Sequence, residues 1–124
     1  MRSLITAIVI DDDIDTADVL CEFLELKGIN VIGKGYNGKE AVDLYATLKP
    51  DVVFLDVMMP YYDGFYALEE IKNVDPKANV IMVTADLSYS TESRLKTLNA
   101  SAIIYKPYDR NLIMKKVNEL FEKT

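Results

Sequence analysis

The chain has no histidine and a single cysteine among its 124 residues. Without histidine, a Ser-His-Asp or Cys-His mechanism is excluded, as are the usual zinc and copper sites. One cysteine, Cys21, allows neither an internal disulfide nor a CxxC motif. Five glycines and four prolines are too few for a linker, and they stand at isolated points. Repeats and low-complexity segments are missing as well. No apolar run approaches the ~20 residues needed to span a bilayer. The N-terminal apolar run stops at three aspartates, well short of the roughly 7–15 residues of a signal-peptide core. The expected location is therefore the cytoplasm, with no membrane insertion. Positive charge is in deficit: 14 Lys+Arg against 20 Asp+Glu give a net charge of −6. Direct binding of nucleic acid is not expected, because phosphate backbones need a basic face. Chemistry is left to Asp, Glu, Lys and Tyr.

Half of the residues are hydrophobic and 27% are charged. That suits one globular domain, residues 1–124. Short β-branched runs alternate with segments of helical period. Thr6–Ile10 reads as a buried strand. Ile14, Ala17, Cys21 and Leu24 form a helix stripe, closed by Gly28 in the left-handed region. Val31–Gly35 is a weaker strand, expected at an edge. Asn37-Gly-Lys-Glu40 has the form of a capping box, and the helix after it should bury Val42, Tyr45 and Leu48 before Pro50 stops it. Val52–Leu55 is a core strand. Asp63-Gly64 opens a helix with Phe65, Leu68 and Ile71 inward, and Asp75-Pro76 makes a turn. Val80–Val83 is a strand, and Ser88–Leu98 is a poorly amphipathic helix. Ile103–Tyr105 is a short strand, and Asp109 caps a last helix striped by Ile113, Val117, Leu120 and Phe121. Five βα units with fully apolar strands imply an α/β fold: a doubly wound five-stranded parallel sheet covered by five helices. Ligands of such sheets bind outside the carboxyl ends of the strands.

Polar groups begin where those strands stop. Asp11, Asp12 and Asp13 follow the first strand, Asp56 the third, Thr84 the fourth and Lys106 the fifth. Clustered carboxylates repel, and a hard divalent cation relieves this; oxygen ligands favour Mg²⁺, with Mn²⁺ as the alternative. A lysine and a hydroxyl beside such a cation suit a phosphoryl group. There is no glycine-rich phosphate loop, so a nucleotide is not the expected donor. A carboxylate could itself be the nucleophile and become an aspartyl phosphate. Asp11 and Asp12 follow the strand directly and are read as the metal pair, with Asp13 at the start of the helix. Met58, Met59, Tyr61 and Tyr62 read as packing and loop residues, and Cys21 as an inert core residue.

The motifs IVIDDD (8–13), VVFLDVMMPYYDG (52–64), VTA (83–85) and KP (106–107) stand in one order along the chain. With them the sequence resembles the receiver domain of two-component response regulators, over Leu4 to Glu122. The resemblance implies strand order 2-1-3-4-5. It implies that Asp56 is the phospho-acceptor, that Asp11 and Asp12 hold Mg²⁺ with Asp56, and that Met58 offers the metal a backbone carbonyl. It further implies that Thr84 and Lys106 meet the phosphoryl oxygens and that the Lys106–Pro107 bond is cis. The implied function is Mg²⁺-dependent phosphoryl transfer from a phosphohistidine of a sensor histidine kinase or phosphotransfer protein. The outcome would be a switch of the helix 4–strand 5–helix 5 surface toward a downstream protein. The chain would be an enzyme only in catalysing its own phosphorylation and dephosphorylation.

Two positions depart from the pattern. Asn99 stands where many members carry Gly, and Ile103 where the family usually carries a switch Tyr or Phe. Strand alternation places Tyr105 on the face of Ile103, either as a substitute aromatic of the readout surface or packed against helix five. Three rivals are weaker. A small-molecule phosphatase working through an aspartyl phosphate usually has D-x-D and a cap domain. A flavodoxin-like carrier needs a Ser/Thr-rich loop after the first strand. A phosphorylation-independent receiver-like binding module would have no use for the retained acids, Thr84 and Lys106.

Overall fold

The computed structural model describes residues 4–122. Five parallel strands alternate with five helices: β1 (Thr6–Ile10), α1 (Ile14–Leu26), β2 (Asn30–Gly35), α2 (Gly38–Leu48), β3 (Val52–Asp56), α3 (Gly64–Val74), β4 (Val80–Thr84), α4 (Tyr89–Thr97), β5 (Ala102–Tyr105) and α5 (Arg110–Phe121). The sheet order is β2-β1-β3-β4-β5, which puts β3 in the middle, between β1 and β4. The expected fold and strand order are those observed.

Alternation along each strand sorts the core into two layers. Ile8, Ile10, Val53, Leu55, Val80 and Met82 face α2, α3 and α4, where they meet Ala41, Tyr45, Leu68, Ile71 and Leu95. Ala7, Val9, Val52, Phe54, Ile81, Val83 and Ile104 face α1 and α5, against Leu20, Leu24, Ile113 and Val117. Both faces are covered, so the strands are apolar throughout. β2 is an edge strand, as expected, and the Glu25 carboxylate accepts the Val31 amide there at 3.3 Å. A side chain on that amide blunts the edge against strand addition.

Helix ends follow their sequence signals. Asp13 accepts from the amides of Asp15 and Thr16, Asp63 from Tyr66, Ser88 from Thr91 and Asp109 from Asn111. α1 ends as expected: Gly28 (φ 85°) and Ile29 return their amides to Glu25 and Leu24. Asn99 (φ 65°) is left-handed. The Lys106–Pro107 bond is cis.

Three expectations need correction. Ile14 is the first residue of α1 and stands 57% exposed, because no element packs over that end of the stripe. Leu48, in the last turn of α2, is exposed; Val42 packs on the core as expected, and Leu44 does so in place of Leu48. In the capping box, Asn37 accepts the Glu40 amide at 2.9 Å, but Glu40 reaches past Asn37 to the Tyr36 amide at 2.7 Å.

Candidate functional site

The central strands deliver their polar termini to one rim. Asp11 follows β1, and its amide still pairs with the Gly35 carbonyl of β2 at 3.1 Å. Asp56 is the last residue of β3. Both carboxylates are nearly buried, 6% and 7% exposed, while Asp12 is open. Oxygens of Asp11, Asp12 and Asp56 all lie within 4.8 Å of one another. Asp13 stays outside this group as the α1 cap, as its place at the helix start suggests.

Lys106 closes the site from β5. Its Nζ donates to Asp11 Oδ2 at 3.0 Å and to Asp56 Oδ2 at 3.4 Å. Alternation explains the meeting: Val9, Phe54 and Ile104 face α1 and α5, and Asp11, Asp56 and Lys106 stand two positions on from them. Burial works against the Lys106 ammonium, yet its hydrogen bond to Asp11 and the two carboxylate charges outweigh this and hold its pKa above the ordinary lysine value. Burial pushes the Asp56 pKa up to about 6, with the Asp11 charge adding to it and the Lys106 charge opposing. The remaining oxygens of the pair are used locally: Asp11 Oδ1 accepts the Asp13 amide at 2.9 Å, and Asp56 Oδ1 accepts the Met58 amide at 3.3 Å.

Thr84 ends β4 with its side chain fully buried. It follows Met82, which faces α3 and α4, so it starts from the other side of the sheet. Its Oγ1 accepts the Asp86 amide at 3.0 Å, and among the described residues it makes no hydrogen bond to the carboxylate group. The structure thus brings Asp11, Asp12, Asp56 and Lys106 together, while Thr84 at the end of β4 bonds to the β4–α4 loop instead. The Met58 side chain points to solvent, 61% exposed, which leaves only its backbone for the site.

Sequence reading passed over three neighbours. Tyr108 lines a small void beneath Asp11, Asp56 and Lys106, and burial raises its pKa. Asp86 accepts the Thr91 hydroxyl at 2.6 Å and the Ser88 amide at 2.8 Å, tying the loop of Thr84 to the first turn of α4. Gly38 donates its amide to the Tyr62 carbonyl at 2.6 Å. Only the third had a local sign, a glycine directly after a helix cap.

The donor set fits a small, hard cation. It is all oxygen, three carboxylates converge, and Lys106 neutralises only part of their charge. The Mg²⁺ a receiver fold implies would therefore be held by Asp11, Asp12 and Asp56. Elsewhere, among the described residues, no helix is long and apolar enough to cross a membrane.

Known proteins give the same reading. The family model for the response regulator receiver domain matches residues 7–118. Protein CcdB of Bacillus subtilis is 34% identical over 113 residues, covering 91% of this chain and 94% of that protein. Chemotaxis protein CheY of Thermotoga maritima is 30% identical over 113 residues, with the same coverage of 91% and 94%. The solved CheX–CheY–BeF3–Mg²⁺ complex from Borrelia burgdorferi contains a chain that superposes with a TM-score of 0.91 at 30% identity, over 96% of this chain and 90% of that one. The acidic pocket is consistent with phosphorylation and typical of a Mg²⁺-binding receiver site. On the family match and the coverage of 94% of these relatives, this chain belongs to the response regulator receiver domain family.

Proposed function

We propose that this chain is a phosphorylation switch in which Asp56 takes a phosphoryl group from a phosphohistidine of a sensor histidine kinase or phosphotransfer protein. A carboxylate oxygen of Asp56 attacks phosphorus, and an O–P bond forms as the N–P bond to the imidazole breaks. The imidazole leaves with the electron pair and is reprotonated from solvent. Hydrolysis reverses the state: water attacks phosphorus, inorganic phosphate leaves, and the carboxylate returns. The observation that carries this reading is the Asp56 carboxylate at the end of a central strand, within 4.8 Å of oxygens of Asp11 and Asp12 and 3.4 Å from the Lys106 ammonium. The relative solved with BeF3 and Mg²⁺ supports it.

Asp11, Asp12 and Asp56 with the Met58 carbonyl would hold Mg²⁺, or Mn²⁺ in its place. When bound, the ion supplies charge neutralisation for the phosphoryl oxygens. Lys106 already touches Asp56 and needs only a small swing to meet a phosphoryl oxygen. The Thr84 hydroxyl can donate its proton to another oxygen while still accepting from the Asp86 amide, so the β4–α4 loop would travel with it. The readout surface would be the α4–β5–α5 face, met by a downstream protein in the cytoplasm. All 124 residues act as one domain here.

Acetyl phosphate and Mg²⁺ should give one phosphoryl adduct by mass spectrometry, and Asp56→Asn none. An Asp56→Asn protein that still took one group at full rate would place the acceptor elsewhere.

A further inference from the structure

The β3–α3 loop holds two consecutive tyrosines in left-handed backbone, Tyr61 (φ 54°) and Tyr62 (φ 57°). Tyrosine lacks the short polar side chain that lets Asn or Asp settle there, so neighbours must impose the conformation. The rings hold it weakly. Tyr61 is 84% exposed and Tyr62 51%. The Tyr62 ring lies 4.9 Å from that of Tyr66, tilted 48°, with the Lys39 ammonium 5.9 Å away.

The close contact comes from the backbone of another element. Gly38 is the first residue of α2, where amides lack partners inside the helix. Its N–H donates to the Tyr62 carbonyl at 2.6 Å. A Cβ on Gly38 would stand 2.5 Å from the carbonyl oxygens of both Tyr62 and Asp63, and 2.9 Å from the Tyr62 carbonyl carbon. Those are backbone atoms and cannot turn aside as a side chain can. The loop's other backbone fastenings are internal: the Met58 amide to Asp56 at 3.3 Å and the Gly64 amide to the Val57 carbonyl at 2.9 Å. Side chains hold the start of the loop, since Val57 and Met59 on either side of Met58 are buried in the core, and the tip meets the backbone of a second element at Gly38.

We propose that Gly38 is a positioning residue for the metal-facing loop: its amide and bare Cα clamp the tip at Tyr62 in left-handed backbone and, together with the buried Val57 and Met59, set where the Met58 carbonyl stands. This rests on the receiver reading above, in which that carbonyl is a Mg²⁺ ligand. Metal–ligand distances tolerate only about 0.2 Å, so a displaced loop tip is felt at the ion.

The test is calorimetric titration of the unphosphorylated full chain with MgCl2, beside circular-dichroism melting in EDTA. Folded Gly38→Ala should bind Mg²⁺ about ten- to hundredfold more weakly, the loss seen when an outer partner of a metal ligand is disturbed. Its phosphorylation by acetyl phosphate should recover as Mg²⁺ is raised to saturation. The double variant Lys39→Ala/Tyr66→Ala removes the ring contacts of Tyr62 and should keep Mg²⁺ affinity within about twofold, as surface changes do. A folded Gly38→Ala protein with wild-type Mg²⁺ affinity would overturn the proposal. So would a strong loss in the ring variant, which decides the matter even if Gly38→Ala does not fold. A wild-type chain that neither binds Mg²⁺ nor takes a phosphoryl group is a separate result and removes the receiver reading itself.

Discussion

Asp56 keeps a charge where water is nearly excluded, and the folded protein is less stable for it. Its pKa is raised from 3.8 to about 6, chiefly by burial. A raised carboxylate pKa means that the penalty is full above about pH 6 and fades as pH falls toward 3.8, below which both folded and unfolded forms are neutral. In EDTA, Asp56→Asn should therefore stabilise the protein at pH 7, by about 1–2 kcal/mol once solvent screening is allowed for. The gain should vanish near pH 4. Equal melting temperatures for variant and wild type at pH 7 would refute it. Asp86 shows the opposite sign. The Thr91 hydroxyl, then the Ser88 amide, hold its pKa below the ordinary value of 3.8. Its contribution is present above that value and is lost as pH falls through the lowered one. Thr91→Val should lower the melting temperature at pH 7 and matter less at pH 3, as thermal scans at the two pH values would show.

At the scale of elements, α4 is the least anchored helix in its own sequence. Only Thr91 and Leu95 of its nine residues are buried; α5 also buries only two, Ile113 and Val117, but packs Leu112, Met114, Leu120 and Phe121 on the core beside them. Other ties of α4 are polar: Asp86 at its first turn, and the Tyr105 hydroxyl, which donates to Glu92 at 3.4 Å. The Arg94 guanidinium also lies 4.0 Å over the Phe65 ring of α3. Tyr105 thus reaches α4, not α5, and stands beside Ile103, which packs on the α2–α3–α4 side of the core. Helices with few buried contacts open locally at low cost. Hydrogen exchange should find α4 the fastest of the five helices, and Tyr105→Phe should quicken α4 while leaving α2 and α3 unchanged. Uniform protection across the helices would contradict this.

For the whole molecule, site and stability are linked through the sheet. β1, β3 and β5 end at the acids and the lysine, so an ion on that rim stabilises only the assembled fold. Binding to the folded state alone adds about 2.7 kcal/mol at a hundred times the dissociation constant. Mg²⁺ should raise the melting temperature of wild type and have little effect on Asp12→Ala, which removes the open carboxylate of the group. The same shift in both proteins would mean that the ion binds elsewhere.

The sequence by itself determined the alternation of strands and helices, the caps at Asp13, Asn37, Asp63 and Asp109, and the acids at strand ends. Each of these is written in a short stretch of chain: period, capping oxygen, or the point where an apolar run stops. The receiver motifs then implied the strand order, which the sheet shows, and the roles proposed for the site residues. Tertiary structure alone decided that Lys106 lies on Asp11 and Asp56 while Thr84 turns to Asp86, because residues far apart in sequence meet only through sheet order and side-chain parity. It also decided that Ile14 and Leu48 stay exposed, since an apolar stripe does not say how far its partner element extends. The left-handed tyrosines were hidden for the same reason. The Tyr62 carbonyl meets the amide of Gly38 from another helix, and no local rule places that amide there.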